Sequence, residues 1–218
     1  ICRFTELLED YISEFNNDTL YIKQYIACDG KTENLGFKII SDYPNNGKII
    51  ISTKGVKRLA LRIPAWCKKY IIEIKDKKAS HTIKDGYAYL ELDTDETEIK
   101  LYLDMPVQTL EANPRVLENV GKIAVMRGPI VYCAEGVDND CILSDIRLMP
   151  NSVFSMEFSE LFNAHILSVS GCLCKPDKSS ALYFEADAEY QEKKIKMIPY
   201  YGFANRGISE MQVWFLKK

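Results

Sequence analysis

"EIKLYL" (98–103) alternates without a break. Ile99, Leu101 and Leu103 share one face, and Glu98, Lys100 and Tyr102 share the other, which is the two-residue period of a half-buried strand. Segments of the same kind recur on both sides of it. "LYIKQYIA" (20–27), "LGFKIIS" (35–41), "KIIIST" (48–53), "RLALRI" (58–63), "YIIEIK" (70–75) and "YAYLEL" (87–92) precede it. "KIAVM" (122–126), "IVYCAE" (130–135), "VFSMEFS" (153–159), "HILSVSG" (165–171), "ALYFEADA" (181–188), "KIKMIPY" (194–200) and "EMQVWFL" (210–216) follow. Turn signals such as "CDGKTEN", "YPNNG", "STKG" and "KDG" separate the first set. About fourteen strands spaced this way read as an antiparallel sandwich or barrel, and the expectation is a mainly β chain built as antiparallel β-sandwich, in two sandwich units.

Three stretches depart from the pattern. At the front, Ile1, Phe4, Leu7, Leu8, Tyr11, Ile12 and Phe15 recur at three- and four-residue steps. That spacing predicts an amphipathic helix of about four turns, ended by "NNDT". An uncovered stripe there would leave Phe4, Leu8 and Phe15 as an aggregation-prone patch. "RGP" (127–129) interrupts two strands, and Pro129 cannot donate to a ladder, so a bulge or edge is expected. "MPVQTLEANPRVLENVG" (105–121) has no clear period and reads as a connector. The expected division is a helix over 1–18, one sandwich unit over 19–104 and a second over 105–218, with the last strands free to return to the first.

The composition excludes several classes. The 218 residues carry a net charge of −3 with the signs interspersed. No basic stripe is present, so nucleic acid is not an expected partner. No apolar run approaches the roughly 20 residues of a membrane span, and Ile1–Tyr11 has acids where a signal peptide has a basic start. The seven cysteines, Cys2, Cys28, Cys67, Cys133, Cys141, Cys172 and Cys174, are odd in number and irregularly spaced. Reduced thiols packed as small apolar residues, in a cytoplasmic protein of bacterial type, fit better than a disulfide framework.

The residues themselves reveal no active site. His81 and His165 lack Cys or carboxylate partners at ligand spacing. Cys172 and Cys174 would share a strand face, but zinc needs two further ligands and no second Cys/His pair offers them. The carboxylate pairs Glu157/Glu160, Glu185/Asp187 and Asp93/Asp95 each lie in alternating or turn-like sequence, where acids ordinarily face water. There is no phosphate loop and no nucleophile elbow. Expected catalytic, metal and cofactor residues are therefore none. The 24 aromatic residues (13 Tyr, 9 Phe, 2 Trp) sit largely at strand positions; sheet packing is the default role and a sugar platform the alternative.

Four longer stretches carry a resemblance. "KRLALRIPAWC" (57–67) resembles an "LRIPGWC" strand. "MPVQTLEANPRVLENVGKIAVMRGPIVYCAEGVDN" (105–139) resembles a long signature with "RGP-[LI]-VYC-x-E-x-x-DN" at its heart. "IPYYGFANRGISEMQVWF" (198–215) resembles "IPYYAWANRGxGEMxVW", and "DTLYIKQYIAC" (18–28) resembles "DGLYVNLYIGS". All four are similar to glycoside hydrolase family 127, the β-L-arabinofuranosidase-like family. The resemblance implies an (α/α)6 catalytic barrel ahead of β-sandwich domains. It also implies a zinc-bound cysteine nucleophile and a glutamate acid/base, all in the barrel. By this resemblance Ile1 follows directly on a "CCPPN" zinc motif, and the first helix is the last helix of the barrel.

None of this chain's cysteines corresponds to a family zinc ligand; Cys67 and Cys133 match strand positions. The chain departs from the pattern in three places: "GYAYLELDTDETEIKLYL" lacks the family's Trp and Gly-Asp turn, "KDKKA" replaces a "VNG" turn, and Phe203 replaces a Trp. These departures argue against an activity close to that of typical members. The resemblance thus implies a non-catalytic C-terminal region whose partners are the N-terminal barrel, a second copy in a homodimer, and, through the parent, arabinose-containing oligosaccharide. A free-standing carbohydrate-binding module is the alternative.

Overall fold

The computed structural model describes residues 8–16, 18–175 and 189–218. The chain divides into two compact units between Met105 and Pro106.

The first unit opens with a short helix α1 (Leu8–Ile12) and eleven strands: β1 (Ser13–Asn16), β2 (Thr19–Ile22), β3 (Cys28–Lys31), β4 (Gly36–Ser41), β5 (Lys48–Lys54), β6 (Arg58–Arg62), β7 (Tyr70–Ile74), β8 (Lys77–Lys78), β9 (Thr82–Lys84), β10 (Tyr87–Glu91) and β11 (Glu96–Leu103). They form two sheets, ordered β1-β2-β6-β10-β9 and β3-β4-β5-β11-β7-β8. The alternation that marked "EIKLYL" places Ile99, Leu101 and Leu103 in the core, with Ile99 opposite Ile51, and Leu101 opposite Ile49 on one side and Ile72 on the other. Leu20, Leu59, Leu61 and Leu90 of the other sheet join the same apolar cluster. Each such side chain contributes roughly 1.5–3 kcal/mol by leaving water.

The helix ends earlier than the spacing predicts. It ends at Ile12, and Ser13–Asn16 is a strand paired antiparallel with β2, Phe15 opposite Leu20. Asn16 and Thr19 of "NNDT" are therefore paired strand residues and not a helix stop. Phe15 lies four residues after Tyr11, which mimics helical spacing. It is held instead as a strand residue, with its ring 6.1 Å from that of Phe37 and packed on the core. Pairing with β2 satisfies the backbone on that side of the sheet, which a continued helix would not do. Phe4 lies outside the described residues, as does the side chain of Leu8.

The second unit holds β12 (Val107–Glu111), β13 (Lys122–Arg127), β14 (Ile130–Glu135), a one-turn helix α2 (Gly136–Asn139), β15 (Ile146–Leu148), β16 (Phe154–Ser159), β17 (Ala164–Lys175), β18 (Glu189–Pro199), β19 (Met211–Gln212) and β20 (Phe215–Lys217). Six of these pair in a ring: β13 with β20, β20 with β15, β15 with β17, β17 with β18, β18 with β14, and β14 back to β13. The ring encloses an apolar core that includes Tyr132, Ile146, Leu167, Met197 and Phe215. β12, β16 and β19 attach at its margins.

Two expectations are corrected here. "RGP" is neither bulge nor edge. Gly128 and Pro129 form a two-residue hairpin loop between paired Arg127 and Ile130. Gly128 has φ +56°, at the position where a type II′ turn takes glycine. The supposed connector contains β12, paired with β13 from Val107–Arg127 to Glu111–Ile123; a strand at the margin needs no full alternation. "ALYFEADA" (181–188) lies outside the described residues. Short strands such as β3, β8, β9 and β15 have too few residues to announce a period.

Candidate functional site

The residues singled out from the sequence do not converge. His81 sits in the first unit, its Nε2 3.0 Å from the Tyr70 hydroxyl and its Nδ1 3.1 Å from the Ala79 carbonyl. His165 lies on β17 with the Phe158 ring edge-on at 5.5 Å. Asp93 and Asp95 are exposed in the β10–β11 turn, and Glu157 and Glu160 are exposed at and after β16. Glu185 and Asp187 lie outside the described residues. The six described cysteines are free thiols. Among the described residues no three His, Cys, Asp or Glu side chains group so as to hold a metal.

What the fold does bring together is a charged cluster in the second unit. It joins "VYCAEGVDN" (131–139) to "IPYYGFANRG" (198–207). β14 ends at Glu135, which is 1% exposed, and α2 follows at once and carries Asp138 and Asn139. The C-terminal loop leaves β18 through a 3-10 turn over Tyr200–Gly202 and returns Arg206 to these acids. Arg206 donates from Nη2 to both Glu135 and Asp138, and from Nη1 to Asp138 Oδ1 at 2.9 Å. Lys196 Nζ reaches Asp138 Oδ1 at 2.9 Å. The Ala204 amide donates to Glu135 Oε1 at 3.1 Å.

Asn139 fastens the same region to β14 and β18 of the strand ring. Its amide donates to the carbonyls of Glu135 and Lys196, at 2.8 and 3.0 Å, and its oxygen accepts from the Lys196 amide at 2.9 Å. The guanidinium of Arg206 lies 5.0 Å from the centre of the Phe162 ring. Phe162 can reach that position because residue 202 is glycine: a Cβ there would stand 2.7 Å from the ring.

The electrostatics follow from this packing. Two acids face two bases, so the cluster is neutral. Burial opposes ionisation of Asp138, but the hydrogen bonds from Arg206 and Lys196 outweigh it and hold the carboxyl below its ordinary value. The Asp138 hydrogen bond leads in raising Arg206 still further above its ordinary range. Burial, aided by the Glu135 charge, pushes the neighbouring Cys133 thiol up to about 12. A buried thiol held neutral is no nucleophile. A carboxylate with its lone pairs already engaged, as in Glu135, is poorly placed to take a proton from a substrate. The arrangement is suited to clamping a loop. Sequence reading found both segments but not their meeting, because Glu135 and Arg206 are 71 positions apart.

Comparison with known proteins agrees over nearly the whole chain. Residues 19–105 match the model for the "Beta-L-arabinofuranosidase, GH127 middle domain", and residues 107–216 match the "Glycoside hydrolase family 127 C-terminal domain". A curated relative, a non-reducing end β-L-arabinofuranosidase of Bifidobacterium longum subsp. longum, is 36% identical over 223 residues, which covers 94% of this chain and 34% of the relative. The crystal structure of a GH127 β-L-arabinofuranosidase from Geobacillus stearothermophilus T6 superposes with a TM-score of 0.91 at 30% identity, over 99% of this chain and 37% of that one. A further GH127 β-arabinofuranosidase structure shares the fold, with a TM-score of 0.86 at 24% identity over 99% of this chain and 37% of its own. The chain spans about a third of the length of each relative.

Proposed function

The chain belongs to glycoside hydrolase family 127, and from that premise we propose that it is the non-catalytic β region of a cytoplasmic β-L-arabinofuranosidase-like hydrolase. In this reading it braces a catalytic domain that precedes it, and arabinose-containing oligosaccharide is met by that domain. One observation carries the proposal: the chain is accounted for by a middle and a C-terminal domain model, while the relatives extend over roughly three times its length. The clamp at Arg206 supports it, since it spends the charged side chains of the two signature segments on holding a loop.

The test is hydrolysis of nitrophenyl β-L-arabinofuranoside. The 218-residue chain should give no turnover, and the complete reading frame should give turnover. Turnover by the chain alone, lost on substitution of its own residues, would overturn the proposal.

A second role, joining two copies, has one feature in its favour. β16 pairs only with β17 among the described strands, and it presents Met156 and Phe158 about half exposed. Such an uncovered edge is a template for another strand. A monomeric mass for the complete protein in solution would remove this role.

A further inference from the structure

We propose that Asn46, in the loop between β4 and β5, is a self-modifying residue. Its side-chain amide is lost to attack by the Gly47 nitrogen, and the product carboxylate forces the loop away from Asp42.

Of the eleven asparagines, Asn46 alone precedes a glycine. Every other is followed by a residue with a Cβ, which crowds the attacking nitrogen, and Asn113 is followed by a proline with no N–H to lose. Asn46 is exposed to water, whereas Asn45 beside it is buried.

The fold keeps the reactive pair in place. A Cβ at residue 47 would stand 1.9 Å from the Leu103 carbonyl oxygen, and the Gly47 carbonyl accepts from the Leu103 amide at 2.9 Å. Only glycine fits there, so the unhindered nitrogen next to Asn46 is a requirement of the packing. The Asn46 carboxamide is held at both ends. Its Oδ1 accepts from the Lys48 amide at 3.0 Å, and its Nδ2 donates to Asp42 Oδ2 at 3.0 Å. An N–H on the carbonyl oxygen stabilises the charge that gathers there when Cγ is attacked. Asp42 in turn depends on these amides. Its Oδ1 accepts from Asn45 Nδ2 at 3.2 Å, and its carbonyl accepts from the Asn45 amide at 2.8 Å. The loop is wound around this one carboxyl group.

The reaction balances with water alone. The Gly47 nitrogen gives its proton to water and bonds to Cγ of Asn46. The Cγ–Nδ2 bond breaks, and Nδ2 takes a proton from water and leaves as ammonia. Water then opens the resulting cyclic imide at either carbonyl. The product is aspartate at 46, or the isomer whose main chain runs through the side-chain carbon. One water enters, one ammonia leaves, and nothing is oxidised or reduced. Ring closure is intramolecular, so no partner has to be gathered. Either product puts a carboxylate where Asp42 had a donor, and like charges at contact distance repel.

The experiment is incubation of the folded protein of the complete reading frame in mildly alkaline buffer, followed by peptide mapping by mass spectrometry. Conversion of amide to acid is expected in the peptide that carries Asn46. Part of the product should accept a methyl group from a sulfonium donor through an isoaspartate methyltransferase. Asn151, exposed and followed by serine, is the internal control. Asn46 should react roughly tenfold faster, which is about 1.4 kcal/mol at the barrier. Equal rates at the two, or reaction at Asn46 only after unfolding in denaturant, would overturn the proposal. The effect on the loop is read separately. Asn46→Asp should speed hydrogen exchange over residues 42–48 roughly twofold to fivefold, and adding Asp42→Asn should restore most of the protection. Faster exchange that Asp42→Asn leaves untouched would overturn the repulsion. Should Asn46→Asp fold poorly, aged and fresh samples of the natural protein supply the same comparison.

Discussion

The two units bury different things. Among the described residues, the buried polar side chains of the first are Thr19, Asn45, Thr53 and Thr97, all uncharged. Those of the second include Arg127 and Glu135 beside Asn139. The reason lies in what each unit must hold. The first is almost all ladder, and alternating strands are fixed by apolar burial on one face. The second must also hold the loop from Tyr200 to Glu210, in which Ile208, Tyr200 and Tyr201 stay exposed. A segment with little apolar surface to bury is fastened by directional contacts, and Arg206 supplies them.

This contrast can be broken by substitution. Arg206→Met leaves Glu135 and Asp138 buried with fewer partners and should cost about 3–5 kcal/mol of second-unit stability. Denaturant melting would measure it, and hydrogen exchange should rise over 200–210 and not over the first unit. A loss below about 1 kcal/mol would mean that the clamp is ornamental. In the first unit the matching lesion is apolar. Ile51 is fully buried between Ile39 and Ile99, and Ile51→Ala should cost about 2–4 kcal/mol by the cavity it leaves, with no dependence on pH.

Gly47 gives a smaller, purely steric test. A Cβ there would stand 1.9 Å from the Leu103 carbonyl oxygen, so Gly47→Ala should shift backbone and cost about 1–3 kcal/mol.

Acid should separate the units further. Asp138 has a lowered pKa in the folded state, led by Arg206 and Lys196 against the opposing effect of burial. Its contribution is fully present above the ordinary aspartate value of about 4. It is lost as pH falls below that value and through the folded one. The second unit should therefore lose stability over this range, and Asp138→Asn should flatten the loss.

The mildest test is chemical. Cys28, Cys141 and Cys174 are partly exposed, whereas Cys67, Cys133 and Cys172 are buried. Alkylation at pH 8 should reach the first three before Cys133, whose thiol is pushed up to about 12 by burial. Early labelling of Cys133 would show that the strand ring opens near the clamp.

Much of the fold could be read from local pattern. β5, β10, β11 and β14 lie within a residue or two of their alternating segments, because each strand of five or more residues repeats its period enough to be seen. Phe15 misled because a spacing of four fits a helix, while its partners Leu20 and Phe37 lie across a turn and on another sheet. Gly128 and Pro129 misled for a related reason: proline bars a ladder bond, but a hairpin loop requires none.

The sequence by itself determined that the chain is mainly β, and its longer motifs placed it in its family. Those signals are local or contiguous: side-chain alternation, turn residues and unbroken signatures. Only the tertiary structure decided that the second unit closes into a ring, that Glu135 and Asp138 meet Arg206, and that Gly47 backs onto Leu103. Each of these joins residues far apart in sequence through strand register, and register depends on all the strands together.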